Sequence, residues 1–315
     1  MNKIYKKTKE NIKKNHFLFI VLIAIRAYSV YFLNKICNYR LEKMRFYKEL
    51  GYELNLKGPK SFNEKIVWKK IYDRNPLLPI TADKYKVRSY LKKALGEEKA
   101  TEILIPLLYV TDQPDTIPIE MLPSDFIVKP THASGLSIIV KNGHFNQKEM
   151  IKTCRRWLKT PYGLEKLEWA YQPIKRKIII EKLLRDDDGN IPNNFMFYMF
   201  HGKCKLVLVD FDRMNNPSGS YFDEKWDFLS VKKATCPQGP KIKKPKNYEI
   251  MLELAEKLSE AFDYVRVDLY NLNGKIYFGE LTHYPTSGMT KYETPSFDFE
   301  LGKYWKIKPK YWKDK

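Results

Sequence analysis

The stretch YVRVDLYNLNGKIYFGELTHYP at 264–285 carries side chains suited to chemistry. Arg266 and Asp268 lie two apart in a strand-like run, so strand alternation puts both on one face. Asn273-Gly274 is a hairpin signal, and it returns Glu280 on the partner strand. Two carboxylates on adjacent strands beside an arginine form an all-oxygen site suited to Mg2+ carrying nucleotide phosphates. The same spacing equally suits a cross-strand ion pair of Arg266 with Asp268 or Glu280. Earlier, FIVKPTHASGLS (126–137) ends a strand on Lys129 and continues into a loop holding Ser134-Gly135. An ammonium followed by loop N–H groups can receive phosphate oxygens. The Walker A pattern is absent, however, and a lone lysine is more often an edge-strand charge.

Other chemistries find less support. Cys37, Cys154, Cys204 and Cys236 lie far apart, with no CxxC or Cys/His ligand spacing. That argues against a zinc site or a disulfide framework and suits a reducing cytosol. The five histidines form no metal motif, and no Ser-His-Asp or Cys-His signature appears. The formal net charge of +20 attracts anions, whether nucleic acid, lipid headgroups or an acidic glycan. The lysines are spread along the chain without a zinc-finger, basic-zipper or RNA-binding pattern, so no nucleic-acid partner is expected.

A chain of 315 residues fits two or three subdomains. Residues 1–50 form a basic, apolar arm. HFLFIVLIAI (16–25) follows a lysine-rich head, and Arg26 interrupts the run before AYSVYFL resumes at 27–33. Such an arm can lie on a membrane or dock on the body of the protein, while Arg26 makes a spanning helix costly. Residues 51–125 read as a helical, substrate-side region. Ser61 and Glu64 make a capping box for a helix over 61–74, and a second helix is expected over 83–95. From 103 the pattern changes to strands, at 103–110, 126–130, 136–141, 177–184, 195–200, 205–212, 264–270 and 275–281. Helices at 146–159 and 247–263 interrupt them. Residues 126–300 thus read as the nucleotide-binding and catalytic region, and 301–315 as a basic tail. The fold class is α+β, with antiparallel hairpins late in the chain.

These pieces together resemble the ATP-grasp superfamily, and more closely its TupA-like branch, associated with teichuronopeptide and capsular polysaccharide biosynthesis. The resemblance is carried in order by FNEKIVWKKIYDRNP, ADKYKVRSYL, LPSDFIVKPTHASG, KIIIEKLL, FHGK, YFDEKWD and VRVDLYNLNGKIYFGELTHYPTSG. It covers roughly residues 60–300 and implies two α+β subdomains clasping ATP between antiparallel sheets, behind an N-terminal helical arm. It further implies that Lys129 and Arg88 bind phosphate and that the loop with Ser134 and Gly135 covers it. Glu181, Lys182 and Leu183 would pass the adenine. Asp268, Glu280 and Thr282 would hold Mg2+, Arg266 and Arg213 would face the reacting phosphoryl group, and Gly288 would shape the acceptor-side loop.

The implied activity is an ATP-dependent carboxylate–amine ligase working through an acylphosphate. Its partners would be an anionic glycan or uronic-acid precursor and an amine donor. Its place would be the cytoplasm, peripheral at the inner face of the membrane. The sequence departs from the branch where Asp-Tyr-Lys is usual and Asn194-Phe195-Met196 stands instead, which removes an anion and a cation. Either Lys203 or Arg213 compensates, or nucleotide binding is weakened, or the reaction is lost. Two other readings remain open: a glycosyltransferase, to which DFD at 210–212 lends a metal-binding DxD look, and a degenerate ATP-grasp protein that binds without turnover.

Overall fold

The computed structural model describes residues 16–212 and 216–308, so Arg213 lies outside the described residues. The arm is a pair of helices, α1 (His16–Ile36) and α2 (Arg40–Leu50), bent by 99° at the break between them. Among the described residues no single helix is long and apolar enough to cross a membrane.

Helix α3 (Phe62–Tyr72) begins at the expected capping box: the Ser61 hydroxyl accepts from the Glu64 N–H, and the Glu64 carboxylate accepts from the Ser61 N–H. It is buried on nearly every side. Phe62 packs against Tyr264 and Trp305, while Lys69 and Lys70 are buried in ion pairs with Asp73 and Glu42. The expected helix over 83–95 is shorter. α4 (Leu77–Ala82) precedes it, and the helix itself, α5, runs Val87–Leu95. Between them, the Asp83 carboxylate accepts from the N–H groups of Tyr85 and Lys86 at 2.9 and 3.2 Å, holding a turn that positions Lys84.

The run expected as a strand at 103–110 is divided. Its start closes helix α6 (Glu97–Ile103), and only the part beyond Pro106 becomes strand β1 (Leu107–Thr111). Strands β2 (Phe126–Pro130), β3 (Ile138–Val140) and β4 (Ile178–Lys182) complete a four-stranded antiparallel sheet in the order β1-β4-β2-β3. One face of it buries Phe126, Val128, Ile178 and Ile180 under Met150, Cys154 and Trp157 of α7 (Gln147–Lys159).

A second sheet holds six antiparallel strands in the order β10-β9-β5-β6-β7-β8. They are β5 (Asn194–Phe200), β6 (Lys203–Phe211), β7 (Ser218–Phe222), β8 (Phe228–Leu229), β9 (Tyr264–Leu272) and β10 (Lys275–Thr282). β7 and β8 are short and gave no clear signal in the sequence. Helix α8 (Tyr248–Ser259) packs on this sheet, with Phe197 stacked on Tyr248. The chain then adds α9 (Ser296–Lys303), and Trp305, expected in the basic tail, is buried against Tyr264. The fold is α+β with two antiparallel sheets, and they face each other across a cleft.

Candidate functional site: a cleft between two sheets

Alternation along β2 and β4 decides the first wall. Phe126 and Val128 go to the α7 core, so Ile127 and Lys129 face the cleft; Glu181 faces it from β4. Lys129 Nζ lies 3.0 Å from one Glu181 oxygen, and Arg88 Nη1 lies 3.4 Å from the other. Arg88 also donates to the Ile105 carbonyl at 3.0 Å. Lys84 enters the same cleft and donates to the Ala133 carbonyl at 2.6 Å, while its backbone N–H holds Thr131 O at 3.1 Å. The turn at Asp83 therefore fastens the start of the 131–137 loop. Ser134, Gly135, Leu136 and Ser137 of that loop line the cleft, and the Tyr162 hydroxyl donates to Ser134 O at 3.3 Å. Gly135 takes φ +73, a left-handed turn that glycine adopts at little cost.

Two cations thus meet one carboxylate on this wall, Lys84 shares the cleft, and the electrostatics of the three differ. Burial works against the Lys129 charge, but Glu181 and, more weakly, Tyr270 and Glu280 outweigh it and raise its pKa. For Lys84 burial wins over Glu280 and Glu181, and its pKa falls. Burial also lowers that of Arg88.

The second wall is the end of the six-stranded sheet. Gly279 is an extra residue between Phe278 and Glu280, a bulge that sets Glu280 opposite Asp268 and Thr282 opposite Arg266. A Cβ at Gly279 would come within 3.0 Å of the Asp268 carbonyl, so glycine suits this approach. Arg266 grips Asp268 with two bonds, Nε to Oδ1 at 2.7 Å and Nη2 to Oδ2 at 2.6 Å. It also donates to Thr282 Oγ1 at 3.1 Å, and that hydroxyl donates to Glu280 Oε1 at 2.7 Å. Burial opposes the Arg266 charge, yet Asp268 more than repays it and drives the pKa far above the ordinary arginine value. The ion-pair reading of the sequence is therefore realised between Arg266 and Asp268, with Glu280 opposite Asp268 on the neighbouring strand.

The two walls enclose a cleft of about 330 Å³. Of the residues singled out in the sequence, Arg88, Lys129, Ser134, Gly135, Glu181, Asp268 and Glu280 line it. Arg266 and Thr282 lie behind Asp268 and Glu280 and do not line it. Lys182 turns its side chain to solvent, and its N–H donates to Pro106 O at 3.0 Å; Leu183 is buried, its N–H directed at Asp125 O at 3.5 Å. Gly288 closes a separate loop of three left-handed residues, Thr286 to Gly288, packed on Val67 and Asn63. Lys84 was missed as a cleft residue, although its neighbour Arg88 was found; the capping Asp83 was the signal that could have revealed it.

The departure at 194–196 has a clear structural form. Asn194 lines the cleft, and its buried Oδ1 has no hydrogen-bond partner within the protein. Met196 stands opposite Asp268 in register and is buried in the core. Lys203 does not replace the missing cation: it sits in the β5–β6 hairpin and pairs with Glu256 at 2.8 Å. Asp210 and Asp212 do not line the cleft either, and an Asp212 oxygen accepts from the Asn216 N–H.

Among the described residues no group of three or more His, Cys, Asp or Glu stands where it could hold a metal ion. Asp268 and Glu280 nevertheless offer carboxylate oxygens to one cleft, and the unsatisfied Asn194 oxygen adds a third oxygen to its lining. An all-oxygen set with few protein ligands fits Mg2+, which keeps waters and shares its shell with substrate phosphates.

Residues 64–306 match the family described as TupA-like ATPgrasp. The chain belongs to that family. Its fold is accordingly the ATP-grasp fold, with the cleft between the two sheets. Solved structures similar to it include a D-alanine–D-alanine ligase from Bacillus anthracis, at 15% identity and TM-score 0.39 over 65% of this chain and 57% of that one. Another is the D-alanine–D-alanine ligase from Helicobacter pylori, at 16% identity and TM-score 0.42 over 79% of this chain and 70% of that one. A third is a phosphoribosylamine–glycine ligase from Thermotoga maritima, at 12% identity and TM-score 0.39 over 67% and 50%. The chain spans little more than half the length of the first of these. Among curated proteins none matches it.

Proposed function

We propose that the protein is an ATP-dependent carboxylate–amine ligase. The observation that carries this reading is one cleft with Lys84, Arg88 and Lys129 on one wall and Asp268 and Glu280 on the other. Such a pairing suits a polyphosphate, whose charge is met by ammonium and guanidinium groups on one side. Asp268 and Glu280 would hold Mg2+ on the other side, and the ion would supply positive charge to phosphate oxygens. Lys84 and Lys129 orient the phosphates, and the loop with Ser134 and Gly135 donates N–H groups and keeps water out. Arg266 fixes Asp268 from behind, a positioning part rather than a contact with the nucleotide.

In the reaction, a substrate carboxylate oxygen attacks the γ-phosphorus in line, and the bond to the ADP oxygen breaks. The resulting acylphosphate is attacked at its carbonyl carbon by an amine, phosphate leaves, and the nitrogen loses a proton to solvent. Catalysis is by positioning and electrostatics, with no protein nucleophile. The substrate class we favour is a uronic acid or acidic glycan precursor of the cell surface, joined to an amino compound in the cytoplasm near the inner face of the membrane. The net charge of +20 agrees with an anionic substrate.

The test is to incubate the protein with ATP, Mg2+, a uronic-acid oligosaccharide and hydroxylamine as the amine trap, and in a parallel reaction with a nucleotide-sugar and the same oligosaccharide. Hydroxamate formed together with ADP supports the ligase. A nucleoside diphosphate released from a nucleotide-sugar, with no hydroxamate, overturns it in favour of glycosyl transfer. One further reading has an observation of its own: Asn194 and Met196 replace a charged pair, which favours nucleotide binding without turnover. ATP binding with neither product, across a panel of acidic sugars and amino acids, would select that reading.

A further inference from the structure

Helix α1 carries an apolar stripe that the body of the protein leaves open. Leu22, Ile25, Ser29, Phe32 and Ile36 recur at spacings of three and four, one face of a helix. Ile25 is 57% exposed, Phe32 55% and Ile36 79%, while Ala27 and Asn34 on the opposite side are buried. On α2, Leu41, Met44 and Tyr47 are exposed as well. An apolar exposed surface of this extent marks an interaction site.

The charge around the stripe identifies the partner. Residues 1–48 contain twelve Lys and Arg and two Glu. Glu42, one of those two, is turned inward onto Lys70 and leaves the surface without its charge. Helix α1 has no acidic residue, and Lys35 and Arg40 flank the exposed end of its stripe. Arg26 is turned to the side and pairs with Glu165 at 2.8 Å, which fastens α1 along the body of the protein. A second copy of the chain docking here would bring two basic segments together. A surface that is apolar within and negative at its rim has the complementary chemistry. No single described helix is long and apolar enough to span a bilayer; α1 and α2 reach that length and composition only as a pair, and their 99° bend suits a pair lying along a surface.

We propose that α1 and α2 seat the protein on an anionic lipid surface, with α1 in the membrane plane and its Leu22–Ile36 stripe at the headgroup–acyl boundary. The basic residues around it then meet the lipid phosphates.

Flotation of the full chain with vesicles tests this. Vesicles of equal parts phosphatidylcholine and phosphatidylglycerol should carry the protein at least about tenfold better than phosphatidylcholine alone. I25D/F32D, which changes two exposed side chains, should unfold at the same temperature yet lose binding by at least about tenfold. K35E/R40E should erase much of the preference for the anionic vesicles. The proposal is overturned if the full chain floats with neither vesicle, or if I25D/F32D binds as well as the parent. It is also overturned if the chain is a dimer in buffer that I25D/F32D makes monomeric, without vesicle binding; the stripe would then belong to a second copy.

Discussion

Across the cleft, Arg266 holds Asp268 by two bonds at 2.7 and 2.6 Å, whereas Lys129 and Arg88 reach the Glu181 carboxylate at 3.0 and 3.4 Å. The side chains of the first pair are 12% and 3% exposed, and those of Lys129 and Glu181 are 20% and 10% exposed. The six-stranded sheet thus fixes its charges to each other from behind. On the other wall Lys129 of the four-stranded sheet and Arg88 of α5 share the Glu181 carboxylate, with Lys84 beside them in the cleft. The first arrangement is a closed ion pair, and the second suits an anion such as the proposed nucleotide phosphates.

The largest effect should separate the walls by stability. Asp268→Asn leaves a buried guanidinium with weakened compensation and should cost about 3 kcal/mol or more in denaturant unfolding. Glu181→Gln, whose partners Lys129 and Arg88 are 20% and 18% exposed, should cost less than that. Equal costs would break the distinction.

His132, at the start of the cleft loop, gives a second test, confined to the smaller sheet. Its ring is buried, Nε2 lies 3.2 Å from the Trp157 carbonyl, and burial, aided by Arg176, lowers its pKa from 6.5 to about 4. Below pH 6.5 the unfolded chain takes up a proton that the folded chain refuses. Stability is therefore full above 6.5 and is lost as pH falls toward 4, by about 3 kcal/mol from this residue. The difference between the parent and His132→Gln, measured by unfolding across that range, should show this slope.

A smaller effect concerns the anion receptor itself. Burial lowers the Lys84 pKa below its ordinary 10.5, while Lys129 stays charged. As pH rises through the lowered Lys84 value, nucleotide affinity should fall a fewfold, and Lys84→Met should remove that step in a binding titration. The unbound fold moves the opposite way. Below the lowered value the folded chain holds an unfavourable charge, so the Lys84 contribution to stability improves as pH rises toward 10.5.

Much of this was legible in the sequence where local rules dominate. The capping box at Ser61, the alternation of Arg266 and Asp268, and the Asn273-Gly274 hairpin depend on near neighbours. The bulge at Gly279 was not legible, since a single extra residue in β10 leaves no periodic trace, yet it decides which residues stand opposite Asp268 and Arg266. Lys69 and Lys70 look like a solvated pair, and only tertiary partners such as Asp263 and Glu42 explain their burial. Lys84 and Arg88 raise the same difficulty: four residues apart, both can reach the cleft, and the turn at Asp83 decides how.

The central claim is that the cleft binds a nucleotide through Lys84, Arg88 and Lys129, and thermal unfolding with and without Mg-ATP tests it most directly. A ligand at one hundred times its Kd adds about 2.7 kcal/mol of stability. The account predicts a magnesium-dependent rise in Tm for the parent and the loss of most of that rise in Lys129→Ala, with the ligand-free Tm little changed. No rise for the parent, or an equal rise in the variant, would contradict it.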